Sequence, residues 1–129
     1  RLIEAFDELR RSGPEELKLL IIGDEISKLP ALRRAVHRHK LHKHVRFFGF
    51  VSDQTLAALY RLADVFVFPS LYEGFGLVVV EAMASGMPVV ATTNTCAPDV
   101  MTDGREGFIV PPFDAATHTI AAVESAIAR

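Results

Sequence analysis

The chain has one cysteine, Cys96, among 129 residues, so no internal disulfide framework can hold it, and a reducing compartment suits it. No apolar run approaches the roughly 20 residues that a membrane-spanning helix needs, and no signal-peptide pattern opens the chain. Neither charge sign dominates. The formal net charge is -2, which provides no global field toward nucleic acid or a membrane surface. Repeats, linkers and low-complexity tracts are lacking too, so residues 1–129 read as a single domain or part of one. No initiator methionine and no capping residue precede Leu2, Ile3, Phe6 and Leu9, which have helical spacing. The stretch AATHTIAAVESAIAR stops without a glycine or proline. Both ends therefore read as cut inside a helix of a longer protein.

What is present is an ordinary globular composition, 50% hydrophobic and 23% charged, enough to bury a real core. Short apolar stretches alternate with helical ones. Strands are predicted at Leu17–Gly23, Val45–Phe50, Asp64–Phe68, Pro88–Ala91 and Gly107–Val110. Helices follow at about 26–40, 53–62, 77–86 and 115–128, with a short turn near 97–102. The runs LLII and VFVF are continuous rather than alternating, which predicts burial on both sheet faces. Strand–helix alternation predicts an α/β fold with a doubly wound, mainly parallel, Rossmann-like sheet. Ligands of such sheets bind beyond the carboxyl ends of the strands, which singles out the loops 69–76, 92–99 and 111–114.

The first of these loops opens the stretch SLYEGFGLVVVEAMASGMPVVAT, residues 70–92, with Glu73 and Glu81 as its acids. On one continuous helix those carboxylates would be about 12 Å apart along the axis. A carboxylate pair acting across one glycosidic bond needs roughly 5 to 9.5 Å, so a two-carboxylate hydrolase is a poor reading. Gly74 and Gly76 place Glu73 on the loop and start the helix near Leu77, with Glu81 about one turn in. Glycines at such a turn let backbone N–H groups approach an anion that the helix N-terminus favours. A diphosphate suits that place, with Glu81 accepting hydrogen bonds from a diol such as ribose and Glu73 from hydroxyls on the other side. Glycines also simply make turns, and first-turn acids simply oppose the macrodipole. Glu81 is harder to set aside: Val78, Val79, Val80, Ala82, Met83 and Ala84 around it imply burial, where a carboxylate needs a partner. A ligand diol or a buried arginine would serve.

YEGFGLVVVEAMASGMPVVAT resembles the E-x7-E segment of retaining glycosyltransferases of family 4, in the C-terminal lobe of the GT-B fold. LKLLIIGD, VRFFGFVSDQTLAALYRLADVFVFPS and APDVMTDGREGFIVPPFDA resemble the same family in the same order. The resemblance implies a retaining transfer of sugar from a nucleotide-diphosphate sugar to an acceptor held by an absent N-terminal domain. No metal-ligand constellation is visible in the sequence, so no metal is expected, and no cofactor beside the donor. The resemblance implies that Glu73 contacts and orients the transferred sugar as the catalytic-site acid. Gly74, Phe75, Gly76 and Leu77 would offer backbone amides to the diphosphate, Glu81 would grip the ribose, and Phe50 and Val51 would lie beside the base. It further implies a central first strand before Arg1, leaving edges on strands 17–23 and 64–68 open to self-association. The family's upstream arginine and lysine do not occur in this sequence. Its glycine-rich turn here reads Gly23-Asp24-Glu25-Ile26, and Asn94-Thr95-Cys96 stands for a glycine pair, with Asp99 for a glutamate. The rival readings are a non-catalytic nucleotide- or anion-binding module and a degenerate lobe kept for assembly.

Residues 33–46, RRAVHRHKLHKHVR, hold six cations and four of the five histidines without one acid. His39, His42 and His44 lack the carboxylates or cysteines of a metal site. The stretch reads as a solvated basic face, the alternative being contact with anionic lipid headgroups. The expected location is the cytoplasm, with the inner membrane face as the place of any peripheral contact, and nucleic acid is not an expected partner. Cys96 reads as a quiet small residue near the donor cleft. Asp99 and Asp103 read as a helix start and a turn, Asp114 as a helix N-cap and His118 as surface.

Overall fold

The computed structural model describes residues 2–13, 16–23, 29–69, 76–112 and 115–128. The chain divides into two compact units, residues 1–56 and 57–129. In unit 1, helix α1 (Leu2–Ser12) is followed by strand β1 (Leu19–Ile22), helix α2 (Pro30–Arg38) and strand β2 (Val45–Phe48); helix α3 (Asp53–Leu62) crosses the division. Unit 2 continues with β3 (Phe66–Phe68), α4 (Leu77–Ala84), β4 (Val89–Thr92), α5 (Ala97–Val100), β5 (Gly107–Val110) and α6 (Ala115–Ile127). Every strand pair is parallel, in the orders β1-β2 and β3-β4-β5. Among the described strands β1 pairs with β2 alone and β3 with β4 alone.

In unit 1 the helical spacing of α1 turns Ile3, Phe6 and Leu9 inward. Ile3 and Phe6 pack with Ile21, Val36, Leu41 and Val45. Asp7 is buried with them, and its Oδ2 accepts hydrogen bonds from His39 Nδ1 and Arg11 Nη2, each at 2.9 Å. This tie lies 32 residues apart in sequence, and spacing rules do not reach that far. Helix α2 begins later than position 26 because Pro30, at its first turn, needs no N–H partner. The extension 26–28 falls outside the described residues. Helix α3 has the predicted bounds because the Ser52 hydroxyl oxygen accepts the Thr55 N–H at 3.2 Å as a cap.

Helices α2 and α4 end in the same way. The Leu41 N–H donates to Val36 O and the Lys40 N–H to His37 O; likewise Met87 donates to Ala82 and Gly86 to Met83. Both are Schellman turns, which put one residue in the left-handed region. Gly86 (φ 77°) takes that place after α4 and Lys40 (φ 55°) after α2.

Burial of the strands departs from expectation. Only β4, the middle strand, is buried along its whole length; β1 and β3, despite LLII and VFVF, are mostly half-buried. Among the described strands each pairs on one side only, which leaves an apolar sequence partly uncovered in this chain. Unit 1 carries eleven Lys and Arg against eight Asp and Glu, whereas unit 2 carries three against eight. The small net charge therefore conceals two opposed local balances.

Candidate functional site

The carboxyl ends of β3 and β4 meet the start of α4. Gly76 is the residue before the helix and sits at φ 81°, ψ 55°, a left-handed conformation that disfavours any residue with a Cβ. A Cβ there would also lie 3.3 Å from the Phe68 ring. The Gly76 carbonyl accepts the Val79 N–H at 3.0 Å and the Cys96 thiol at 3.4 Å. On the β4–α5 loop the buried Thr95 hydroxyl donates to Thr92 O at 2.8 Å and accepts the Ala97 N–H at 3.1 Å. Thr95 and Cys96 thus form the wall against which the glycine turn rests.

Among the described residues no side chain caps α4, and its first turn contains no carboxylate. The first N–H groups of a helix have no partner within it and carry partial positive charge. This start is therefore electrostatically suited to an anion.

Glu81 corrects the sequence reading. It is exposed rather than buried. Helix α4 turns Val79 and Ala82 inward, so Leu77, Val80, Glu81 and Ala84 share the outward stripe. Leu77 is 65% and Val80 37% exposed. The neighbours implied burial because the helix is apolar on all sides, and such a pattern does not say which side faces water. Among the described residues no arginine holds Glu81. Its Oε2 accepts a hydrogen bond from the Tyr60 hydroxyl at 3.1 Å. Tyr60, near the end of α3, was not singled out from the sequence, where a lone aromatic at a helix end reads as core. It is largely buried, and its phenol is pushed up to about 12 by burial first, then by the hydrogen bond to Glu81 and that carboxylate's charge. Its ring meets Phe66 edge-on at 5.9 Å, and Phe66 stacks on Phe68 at 6.0 Å.

Of the other predicted site residues, Gly76 and Leu77 lie at the helix start, while Glu73, Gly74 and Phe75 fall outside the described residues. Phe50 and Val51 belong to unit 1, where Phe50 is 85% exposed and Val51 half-buried. Cys96 is buried, its thiol raised mainly by that burial, which suits packing and not nucleophilic attack. Asp99 lies in the first turn of α5, the Asp103 carboxylate accepts the Ile109 N–H at 2.8 Å in a turn, and His118 is exposed; Asp114 is outside the described residues. No cluster of three or more metal-ligating side chains occurs among the described residues. A groove of about 330 Å³ lined by Met83, Gly86, Met87, Pro88, Arg105 and Glu106 lies at the amino ends of β4 and β5, away from the start of α4.

A parallel α/β fold with a glycine-led helix start beyond its strands is the architecture of the C-terminal domain of GT-B glycosyltransferases. The profile of the family "Glycosyl transferases group 1" matches residues 1–129, and the chain belongs to that family. It is 37% identical over 119 residues to mannosylfructose-phosphate synthase of Agrobacterium fabrum, covering 88% of this chain and 26% of that protein. The C-terminal domain of the group 1 glycosyl transferase LpcC from Francisella tularensis superposes with a TM-score of 0.85 at 27% identity, over 99% of this chain and 67% of that one. Anabaena HepE, solved in complex with UDP-glucose, superposes with a TM-score of 0.82 at 27% identity, over 98% and 34%. The chain spans a quarter to three-tenths of the length of curated relatives such as the synthase.

Proposed function

We propose that this chain is the donor-binding lobe of a retaining glycosyltransferase that uses a nucleotide-diphosphate sugar, with the acceptor held by an N-terminal domain of the same protein. The observation that carries the reading is the start of α4, which Gly76 opens in a left-handed turn with no side-chain cap among the described residues and no carboxylate in the first turn. Glu81 stands one turn further on, exposed and not buried as expected, with its Oε2 accepting the Tyr60 hydroxyl. A diphosphate at that start would place sugar hydroxyls within reach of acidic side chains. The complex of HepE with UDP-glucose supports this class of donor. In this reading Glu81 accepts hydrogen bonds from the ribose, the amides of Gly74, Phe75, Gly76 and Leu77 meet the diphosphate, and Glu73 orients the transferred sugar. Phe50 and Val51 keep the base contact that the resemblance implies. The chemistry needs no cofactor or metal from these residues. The reading includes a cytoplasmic location. Its peripheral contact with anionic lipid would use the α2 end and the turn after it, where Arg34, Arg38, Lys40 and Lys43 are exposed.

Titrating the full-length protein with UDP, GDP and ADP tests the proposal. A tenfold preference, about 1.4 kcal/mol, ranks the bases. Transfer from the matching sugar nucleotide with the anomeric configuration kept is the expected outcome. Failure of all three nucleotides to bind would favour a lobe kept for assembly, and binding without transfer would favour a sensing module.

A further inference from the structure

We propose that Tyr60 is a positioning residue for Glu81: its hydroxyl holds one carboxylate oxygen so that the other is presented to the ribose diol. The proposal rests on the donor-binding reading above and adds the residue that orients its diol contact.

Glu81 stands on an outward helical stripe beside Leu77 and Val80, where nothing else described holds its carboxylate. A glutamate has three rotatable side-chain bonds, and fixing them only at the moment of binding weakens affinity. The Tyr60 hydroxyl bond to Oε2, at 3.1 Å, makes that selection beforehand. The tyrosine is itself held. It is 9% exposed and its ring lies edge-on to Phe66 in β3, which stacks on Phe68. Phe68 in turn borders Gly76, so one aromatic row runs from the anchor of Glu81 to the helix start proposed for the diphosphate. The phenol keeps its proton throughout the neutral range, so it always donates. A carboxylate has about four lone-pair sites. With one accepting from Tyr60, those on Oε1 stay open to two neighbouring hydroxyls.

The test uses the full-length protein with Tyr60→Phe, Glu81→Ala and the double variant, titrated with UDP, GDP and ADP, each beside its 2′,3′-dideoxy form. Tyr60→Phe removes one oxygen from an otherwise unchanged ring, and an unchanged melting temperature shows that packing is kept. The expected result is a fivefold to tenfold loss of affinity for the diol-bearing nucleotide with none for the dideoxy form. No further loss should follow when Tyr60→Phe is added to Glu81→Ala, as for two groups acting through one contact. Equal weakening of both nucleotide forms, or a loss that persists without Glu81, would reduce Tyr60 to a packing residue and overturn the proposal. If Glu81→Ala leaves the diol preference intact, the ribose reading fails first and the proposal with it. If Glu81→Ala abolishes that preference while Tyr60→Phe does not change it, the positioning role alone is overturned.

Discussion

Helices α2 and α4 close with the same turn and show opposite faces to water. Helix α2 turns Val36 inward and Arg33, Arg34, His37 and Arg38 outward, the ordinary arrangement of a surface helix. Arg33 lies 5.2 Å over the Phe47 ring, so even its cation doubles as cover for an aromatic face. Helix α4 turns Leu77 and Val80 outward with Glu81 as the one charge between them. Water covers the first face at no cost. The second face makes physical sense where something other than water covers it, and that contrast gives the proposed site its place on α4 and not on α2.

The contrast breaks most sharply at the start of α4. Gly76→Ala is expected to cost about 1–2 kcal/mol from the left-handed backbone alone, and more from contact with the Phe68 ring. Melting temperature and nucleotide affinity should fall together. At the helix ends a reciprocal pair sharpens the comparison. Gly86→Ala meets no atom within 4 Å but keeps φ 77°, so it should lose about 1 kcal/mol by denaturant titration. Lys40→Gly, at φ 55°, should gain up to about 1 kcal/mol at the equivalent place after α2. Equal responses at the two ends would show that the turns are not equivalent after all. The smallest effect follows acidification near α2. His44 has its Nδ1 buried without a hydrogen-bond partner among the described residues, and its pKa is lowered from 6.5, first by burial and then by Arg10 and Lys18. The unfolded chain therefore takes up this proton first. Stability from His44 is complete above about pH 6.5 and declines as pH falls toward the lower folded value. Melting curves from about pH 8 to 5 should show that component, and His44→Gln should remove it.

Much of this arrangement was legible from residues alone, and the exceptions have a common cause. Local signals worked: α3 was expected at 53–62 and lies there, and Gly76 and Leu77 marked the start of α4. Features that depend on partners distant in sequence did not show. Asp7 and His39 meet across 32 residues, and Tyr60 reaches Glu81 across 21. LLII and VFVF pair on one side only among the described strands and are mostly half-buried, because neighbours, not composition, decide what a strand covers. The same limit produced the wrong burial of Glu81, since a helix apolar on every side offers no stripe to read. Lys40 in a left-handed conformation had no signal, because the turn after α2 is completed by backbone groups that any residue supplies.

The sulfur of Cys96 is buried and donates to the Gly76 carbonyl. As the one sulfhydryl in the sequence, it acts as a sentinel: alkylation is expected only when its contact with the Gly76 carbonyl opens. A ligand seated on the start of α4 and steadying that contact would slow the reaction without touching the sulfur.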